Sequence, residues 1–167
     1  MMTLAEIEKY SDNICKEYGF KTVPISLNNR LQTTLGRTIA VYGEHSAKTL
    51  GIQISGRLAN YGTETEIKRV VRHELAHYFA TNESQAFHGH DKYWKTWAIK
   101  LKVPPTPYTS VSETYKQQCA KEYKYQVVCP KCGRVLKRYK TKCRPIRYPS
   151  DYTSTCCGAL CKSERII

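Results

Sequence analysis

Acidic side chains and long hydrophobic runs are what this sequence has least of. Its 167 residues carry 14 Asp and Glu against 27 Lys and Arg, a formal net charge of +13. No stretch approaches the roughly 18 to 20 apolar residues of a membrane span, so we expect no membrane-spanning segment. The first ten residues lack a basic segment followed by an apolar one, so we expect no signal peptide and a cytoplasmic protein. That compartment favours metal binding over disulfides for the eight cysteines.

The positive charge is concentrated towards the C-terminal end. Residues 1–103 have a net charge of +4, whereas residues 104–167 have a net charge of +9 and most of the cysteines. Three prolines within residues 104–107 cannot continue a helix and indicate a boundary. We therefore predict a first domain over 1–103, a linker or connecting helix over 104–124, and a small basic domain over 125–167.

Helix-like and strand-like patterns alternate along the first domain. Apolar residues at helical spacing predict a helix over residues 3–18, with Thr3 and Glu6 forming a capping box. The strongest helical pattern covers residues 64–81, and a second, Trp-rich helix begins at Asp91. This mixture predicts an α+β fold. The three predicted strands are Val23–Leu27, Leu31–Val41 and Thr49–Ile54.

His73 and His77 stand four residues apart on the predicted helix 64–81. At about 100° and 1.5 Å per residue, their side chains lie on one face about a turn apart. Two imidazoles so placed can bind one zinc ion, and Glu74 beside them can act as general base towards a water. The alternative is that both histidines are ordinary surface residues of a charged helix.

A catalytic zinc normally takes three protein ligands and leaves one position open. The metzincin extension of this motif would need Gly and His where the chain has Ala80 and Glu83, so that class is excluded. The remaining histidines are His45, His88 and His90. The last two lie in a loop that leads into the Trp-rich helix and that can fold back over the first helix.

The order of these motifs resembles the SprT-like metalloprotease family, which includes the bacterial SprT proteins and the eukaryotic Spartan proteases. The shared features are an HExxH helix, a short loop, a Gly-His pair before an aromatic residue, and the Ile-x-Ile-Ser strand at residues 52–55. The resemblance covers residues 4–103 and, more loosely, residues 125–161. It implies a zincin-like α+β catalytic domain followed by a small β zinc ribbon.

The resemblance also implies the roles of single residues. It assigns zinc binding to the two HExxH histidines and general-base catalysis to the glutamate between them. It implies His90 as the third ligand, because Trp94 stands four residues later. The family often has Gly directly after this histidine, where this chain has Asp91. His88, which is followed by Gly89, remains the alternative.

A cysteine cluster follows the boundary. The segment 129–133 reads Cys-Pro-Lys-Cys-Gly, a zinc knuckle whose Pro and Gly make the turn that brings two thiolates to one metal. Residues 157–160 match the later part of the family's second knuckle, but Ser154 stands where its first cysteine would be. Cys143 and Cys156 remain alternatives, as does a disulfide-bonded tail. The expected structural zinc ligands are Cys129, Cys132, Cys157 and Cys161.

Eight basic residues and no acidic residue occupy the segment 129–147, with Tyr139 among them and Tyr148 and Tyr152 just after it. Charge of one sign beside aromatic rings favours phosphate binding with base stacking, as on single-stranded nucleic acid. The resemblance to Spartan supports DNA, because that family cleaves DNA-associated proteins. The alternative is a solvated basic hairpin. The eight residues are Lys131, Arg134, Lys137, Arg138, Lys140, Lys142, Arg144 and Arg147.

Taken together, these patterns predict a zinc-dependent endopeptidase that acts on proteins held on DNA, with one catalytic and one structural zinc. We expect a monomer with no membrane partner. Two other functions stay open: a nucleic-acid-binding zinc-ribbon protein whose metal site is not proteolytic, and a repressor-cleaving protease of the ImmA/IrrE type. Glu74 favours the protease, because a purely structural site needs no general base.

Overall fold

The computed structural model describes residues 2–43, 46–107 and 109–166. The chain divides into two units, Met1–Tyr115 and Lys116–Ile167. None of the helices in the described ranges combines the length and apolar character that crossing a bilayer requires. The domain boundaries expected after residues 103 and 124 remain predictions.

The first unit is an α+β domain, as expected from the sequence. Up to Lys100, its described residues form one helix, then three strands, then three helices. Its elements are α1 (Leu4–Glu17), β1 (Ile25–Asn28), β2 (Gly36–Tyr42), β3 (Ala47–Ser55), α2 (Gly56–Tyr61), α3 (Glu64–Ser84) and α4 (Lys92–Lys100).

The strands form one small sheet with β3 in the centre. β1 pairs with β3 in parallel, with Ile25 opposite Ile52, and β2 pairs with the other edge antiparallel, with Gly36 opposite Ile54. Ile52 and Ile54 are buried, and α3 packs against β2 and β3. The sheet therefore supports the face of α3 that carries the predicted site.

α3 is the longest helix, and its local sequence explains where it begins. Thr63 and Glu66 form a capping box: the Thr63 hydroxyl accepts from the Glu66 amide at 3.2 Å, and the Glu66 carboxylate accepts from the Thr63 amide at 2.8 Å. Apolar residues of α3 that lie one turn apart are fully buried, among them Ile67, Val71 and Leu75. Burial of this stripe against the sheet stabilises α3 in one orientation.

α4 packs against α3 through aromatic rings. Trp94 is completely buried, and the Trp97 ring lies 5.0 Å from the Phe79 ring. Phe20, which follows α1, stacks on Phe79 at 4.2 Å. This cluster holds the loop between α3 and α4 against the end of α3.

The second unit is a small antiparallel sheet in which β4 (Tyr125–Val128) lies between β5 (Val135–Tyr139) and β6 (Lys162–Arg165). Its core is formed by Val127, Ile146 and Cys161, with Tyr125 and Tyr139 packed against them. So little buried apolar surface stabilises a fold weakly, and such units usually need a metal or disulfides. The elements from residue 113 are α5 (Glu113–Lys121), which starts in the first unit, β4 (Tyr125–Val128), β5 (Val135–Tyr139), α6 (Arg144–Arg147) and β6 (Lys162–Arg165).

Candidate functional site

Three histidines converge on one point of the first unit. His73 and His77 lie one turn apart on α3, and His90 reaches them from the loop before α4. Their ring nitrogens all lie within 4.8 Å of one another, and the His73 and His90 Nε2 atoms are 3.2 Å apart. Ligands about 2.0–2.1 Å from a tetrahedral zinc lie roughly 3.3 Å apart, so these side chains fit that ion. The site combines the two HExxH histidines with the expected third one.

Trp94 forms the floor of this histidine cluster. Its ring centre lies 4.8 Å from that of His73, 5.3 Å from that of His77 and 4.5 Å from that of His90. The indole Nε1 donates to the His73 carbonyl oxygen at 3.4 Å. A buried, hydrogen-bonded indole has little freedom to move, so the three imidazoles are held in place before any metal binds.

The protonation state of the histidines suits metal binding. Burial lowers the pKa of His73 to about 3 and that of His77 to about 4, and it also lowers the pKa of His90. The His77 Nδ1 lies 2.9 Å from the His88 carbonyl oxygen, which can only accept. Nδ1 therefore carries the proton, and the Nε2 lone pair is left for the metal.

Glu74 is buried beside the histidines. The Thr38 hydroxyl, on β2, lies 3.0 Å from one Glu74 carboxylate oxygen and also from the Glu74 carbonyl oxygen. Burial raises the pKa of Glu74 to about 7, although the bond from Thr38 opposes this shift. A carboxyl group with this pKa can both take up and release a proton near neutral pH.

Gly36 lets β2 approach Glu74 closely. A Cβ at this position would lie 2.8 Å from Val70 Cγ1 and 3.0 Å from both Cγ and Oε1 of Glu74. Sequence reasoning found neither Gly36 nor Thr38. Their only signal is that they open a strand that must pack against the HExxH helix, and the sequence does not reveal which strand does so.

Replacing Gly36 with Ala is expected to lower the free energy of unfolding by about 1–3 kcal/mol, because the added methyl overpacks the contact with α3. Denaturant unfolding of the purified protein measures this change. Gly89→Ala is the matched control, since nothing lies within 4 Å of a Cβ at that position. Equal stability of the two variants would contradict the close approach.

His88, the alternative third ligand, lies outside the metal-binding cluster. Its Nδ1 is 2.7 Å from the Asp91 carboxylate and its Nε2 is 2.6 Å from the Ser84 hydroxyl. The second Asp91 oxygen caps α4 by accepting from the amides of Tyr93 and Trp94 at 3.0 and 3.1 Å. His88 thus ties the end of α3 to the start of α4, and Asp91 caps α4. His45 lies outside the described residues.

The second cluster consists of four cysteines in the second unit, Cys129, Cys132, Cys156 and Cys157. Their sulfur atoms all lie within 4.8 Å of one another, and those of Cys132 and Cys156 are 3.4 Å apart. Tetrahedral zinc with Zn–S of about 2.3 Å places sulfurs roughly 3.8 Å apart, so this set fits a structural zinc. A hydrogen bond with the Ser154 side chain lowers the pKa of the Cys129 thiol to about 6, which favours the thiolate.

Two similar turns present these thiols. In the first, the Gly133 amide donates to the Cys129 carbonyl at 2.8 Å; in the second, the Gly158 amide donates to the Ser154 carbonyl at 2.9 Å. Both glycines have positive φ, at 72° and 64°. Ser154 thus takes the place of the first cysteine in the second turn, and Cys156 supplies the thiol that is missing there.

Cys161 corrects the set of ligands expected from the sequence. It is 4% exposed and belongs to the core of the second unit with Val127 and Ile146, not to the sulfur cluster. Thr153 bridges to Leu160 just before β6. Since side chains alternate along an extended chain, Cys161 faces the core. Cys143, one of the alternatives, packs against the same core.

Comparison with known proteins identifies the family of this chain. A model of the SprT-like family matches residues 4–117, well over half of the chain. The chain belongs to the SprT-like family. Proteins named "Protein SprT-like" from two strains of Staphylococcus epidermidis are 26% identical to it over 156 residues, which is 81% of this chain and 96% of each relative. No solved structure matches significantly.

In this SprT-like chain, the basic run extends from the first cysteine turn through β5 to α6. Six of its eight residues are exposed and make no ion pair with the described part of the chain. Lys140 pairs with Glu122, and Arg144 lies 3.4 Å from Asp151. The exposed six are Lys131, Arg134, Lys137, Arg138, Lys142 and Arg147.

Proposed function

We propose that this chain is a zinc-dependent endopeptidase that hydrolyses proteins bound to nucleic acid. The observation that carries this proposal is the buried Glu74 carboxyl group next to a cluster of three histidines, of which His90 is partly exposed. A structural metal site uses four protein ligands and needs no neighbouring carboxylate. An ImmA/IrrE-type site would use an acidic third ligand, whereas His90 contributes an imidazole here.

A zinc ion held by His73, His77 and His90 would supply Lewis-acid polarisation of the scissile carbonyl and of the attacking water. Glu74 takes a proton from that water while the water oxygen forms a bond to the carbonyl carbon. When the carbon–nitrogen bond breaks, Glu74 gives the proton to the leaving nitrogen. Thr38 holds the carboxyl group in one orientation through both transfers.

An exposed aromatic pair lies beside the histidines. The rings of Tyr42 and Phe87 are 5.5 Å apart, and the Phe87 ring is stacked at 6.4 Å from that of His77. Tyr42 is 66% exposed and Phe87 41%. Such a surface suits an apolar side chain of an extended or unfolded polypeptide, which agrees with an endopeptidase.

The test is cleavage of a DNA-binding protein by the zinc-loaded chain, with and without DNA, with fragments identified by mass spectrometry. The proposal expects cleavage that zinc chelation abolishes and that DNA accelerates. Activity of the same rate without DNA would remove the nucleic-acid part of the proposal. No cleavage of any folded or denatured protein would contradict the endopeptidase itself.

The exposed basic residues support binding of DNA, with single strands preferred. Lys137 lies over the Tyr139 ring at 5.6 Å, so cation and aromatic face are already adjacent. In such an arrangement a base can stack on the ring while the ammonium group contacts a phosphate. A neutral or acidic surface could not hold DNA at physiological salt.

Replacing Lys137 and Arg138 with Gln is expected to weaken single-stranded DNA binding and to reduce the slope of log K against log salt by about 1.4, or roughly 0.7 per lost phosphate contact. Fluorescence anisotropy with a labelled oligonucleotide at several salt concentrations measures both. The control removes the same charge elsewhere, with Arg30→Gln and Lys95→Gln. If both double variants lose affinity equally, binding depends on net charge and not on this strand.

A further inference from the structure

A cavity of about 280 Å³ lies beside His73 and is lined by residues of α3 and of the segment that comprises residues 103–107 and 109–110. Arg69 and His73 line it from α3, and Val103, Thr109 and Ser110 line it from the segment. Its volume is about nine times the ~30 Å³ share of one liquid water, which is enough for a side chain. Because the cavity touches a metal-binding histidine, a side chain within it would belong to a residue next to the reacting bond.

Hydrogen bonds hold this cavity in shape. Arg69 donates from Nη2 to the Ser110 carbonyl oxygen at 3.0 Å, and the Ser112 amide donates to the Glu66 carboxylate at 2.5 Å. Glu66 is itself fixed by the capping box with Thr63. The segment is therefore fastened to the first turns of α3 at two points, so the cavity is formed before a ligand enters.

The guanidinium group of Arg69, which lines the cavity, has one N–H group without an acceptor among the described residues. Its Nε is buried and makes no hydrogen bond within the part of the chain that the structure describes, whereas Nη2 donates to the Ser110 carbonyl oxygen. Buried N–H groups are almost always paired, so an unpaired one indicates an acceptor that is absent here. The lining contains no acidic side chain that could serve. A guanidinium binds a carboxylate more strongly than any neutral acceptor.

We propose that this cavity is a substrate subsite for a carboxylate, namely the side chain of an Asp or Glu flanking the scissile bond, and that Arg69 determines this specificity. The proposal rests on the endopeptidase function proposed above. The cavity and the aromatic pair lie next to different histidines, the cavity at His73 and Phe87 at His77. The preferred substrate segment would therefore carry an acidic residue on one side of the cleaved bond and an apolar one on the other.

The first experiment uses a library of synthetic peptides with acetylated and amidated ends, incubated with the zinc-loaded protein and sequenced by mass spectrometry. We expect Asp and Glu to be enriched at one position flanking the cleaved bond. For a single peptide with Glu at that position, kcat/KM should exceed that of its Gln counterpart by about tenfold or more. Cleavage without this preference overturns the proposal. A second library with free C-termini is measured in parallel. A preference that appears only in that library assigns the carboxylate to a chain end and overturns the proposal.

The second experiment changes the residue. Arg69→Gln should bring the Glu-to-Gln ratio close to one, and Arg69→Lys should retain part of it. Arg72→Gln is the control: Arg72 lies three residues further along α3, donates to the Leu101 carbonyl oxygen at 3.3 Å and does not line the cavity. Zinc content and thermal unfolding establish that each variant is folded. A Glu preference that survives in Arg69→Gln overturns the assignment.

Binding separates this proposal from the function on which it rests. Titration calorimetry of the Glu74→Gln variant with the same Glu and Gln peptides measures affinity without turnover. If the wild type cleaves nothing but the Glu peptide binds about tenfold more tightly through Arg69, the endopeptidase fails and the subsite stands. If the wild type cleaves and both peptides bind equally, the subsite fails alone.

Discussion

Replacing Glu74 with Gln is expected to lower kcat/KM for protein cleavage by about 10²–10⁴-fold while leaving zinc bound, because the amide cannot accept the proton of the attacking water. The change is nearly isosteric, and the amide oxygen can still accept from the Thr38 hydroxyl. Burial already disfavours the charged form of this side chain and raises its pKa to about 7. The uncharged Gln should therefore cost the fold little.

The measurement pairs initial rates on a denatured protein with metal analysis of the same sample. Glu64→Gln is the matched control, since Glu64 lies in the exposed first turn of α3 and pairs with Lys68 at 2.5 Å. We expect that control to cleave at the wild-type rate. A Glu74→Gln variant that keeps a rate within tenfold of the wild type would show that the general base is another group.

The second large effect is expected in the cysteine cluster. Cys156→Ser should lower the zinc content from about two ions per chain to about one and unfold the second unit, because in a structural site the energy of metal binding is energy of folding. Cys161→Ser should keep both ions and cost about 1–3 kcal/mol, because it buries a hydroxyl in the apolar core. Both variants remove one thiol from the same unit, so each is the control for the other.

Metal analysis and thermal unfolding with and without a chelator distinguish the two variants. The opposite result, with zinc lost in Cys161→Ser and retained in Cys156→Ser, would restore the set Cys129, Cys132, Cys157 and Cys161 that the sequence predicted. Loss of zinc in both variants would mean that the sulfur cluster rearranges around the ion when it binds.

Much of the first unit follows from local signals. The capping boxes at Thr3 and Thr63 are visible in the sequence, and the helices they begin are α1 and α3. The helix α2 at Gly56–Tyr61 was missed, because no side chain caps it and it is only six residues long. Leu58, which is fully buried, shows that tertiary packing stabilises this short helix.

The two clusters of candidate metal ligands could be predicted from the sequence to different extents. Helical spacing places His73 and His77 on one face of α3. His90 was selected only by the family resemblance, in which the third histidine stands four residues before an aromatic residue, here Trp94. In the second cluster, adjacent cysteines rarely bind the same ion, so the expected ligand set contained Cys157 together with Cys161 and did not include Cys156. The turn formed by Ser154 and Gly158 brings Cys156 and Cys157 together, and their positions depend on backbone hydrogen bonds that spacing alone does not indicate.

Periodic and local features can be predicted from the sequence: the helix that carries HExxH, the first cysteine turn, and a positive charge concentrated after residue 104. Contacts between segments far apart in the chain are seen only in the folded protein. The fold brought Thr38 and Gly36 to Glu74, turned His88 away from the cluster, placed Cys161 in a core and formed the cavity at Arg69. The reason is physical: side-chain direction within one helix follows from its 3.6-residue period, whereas contacts between elements depend on how the whole core packs.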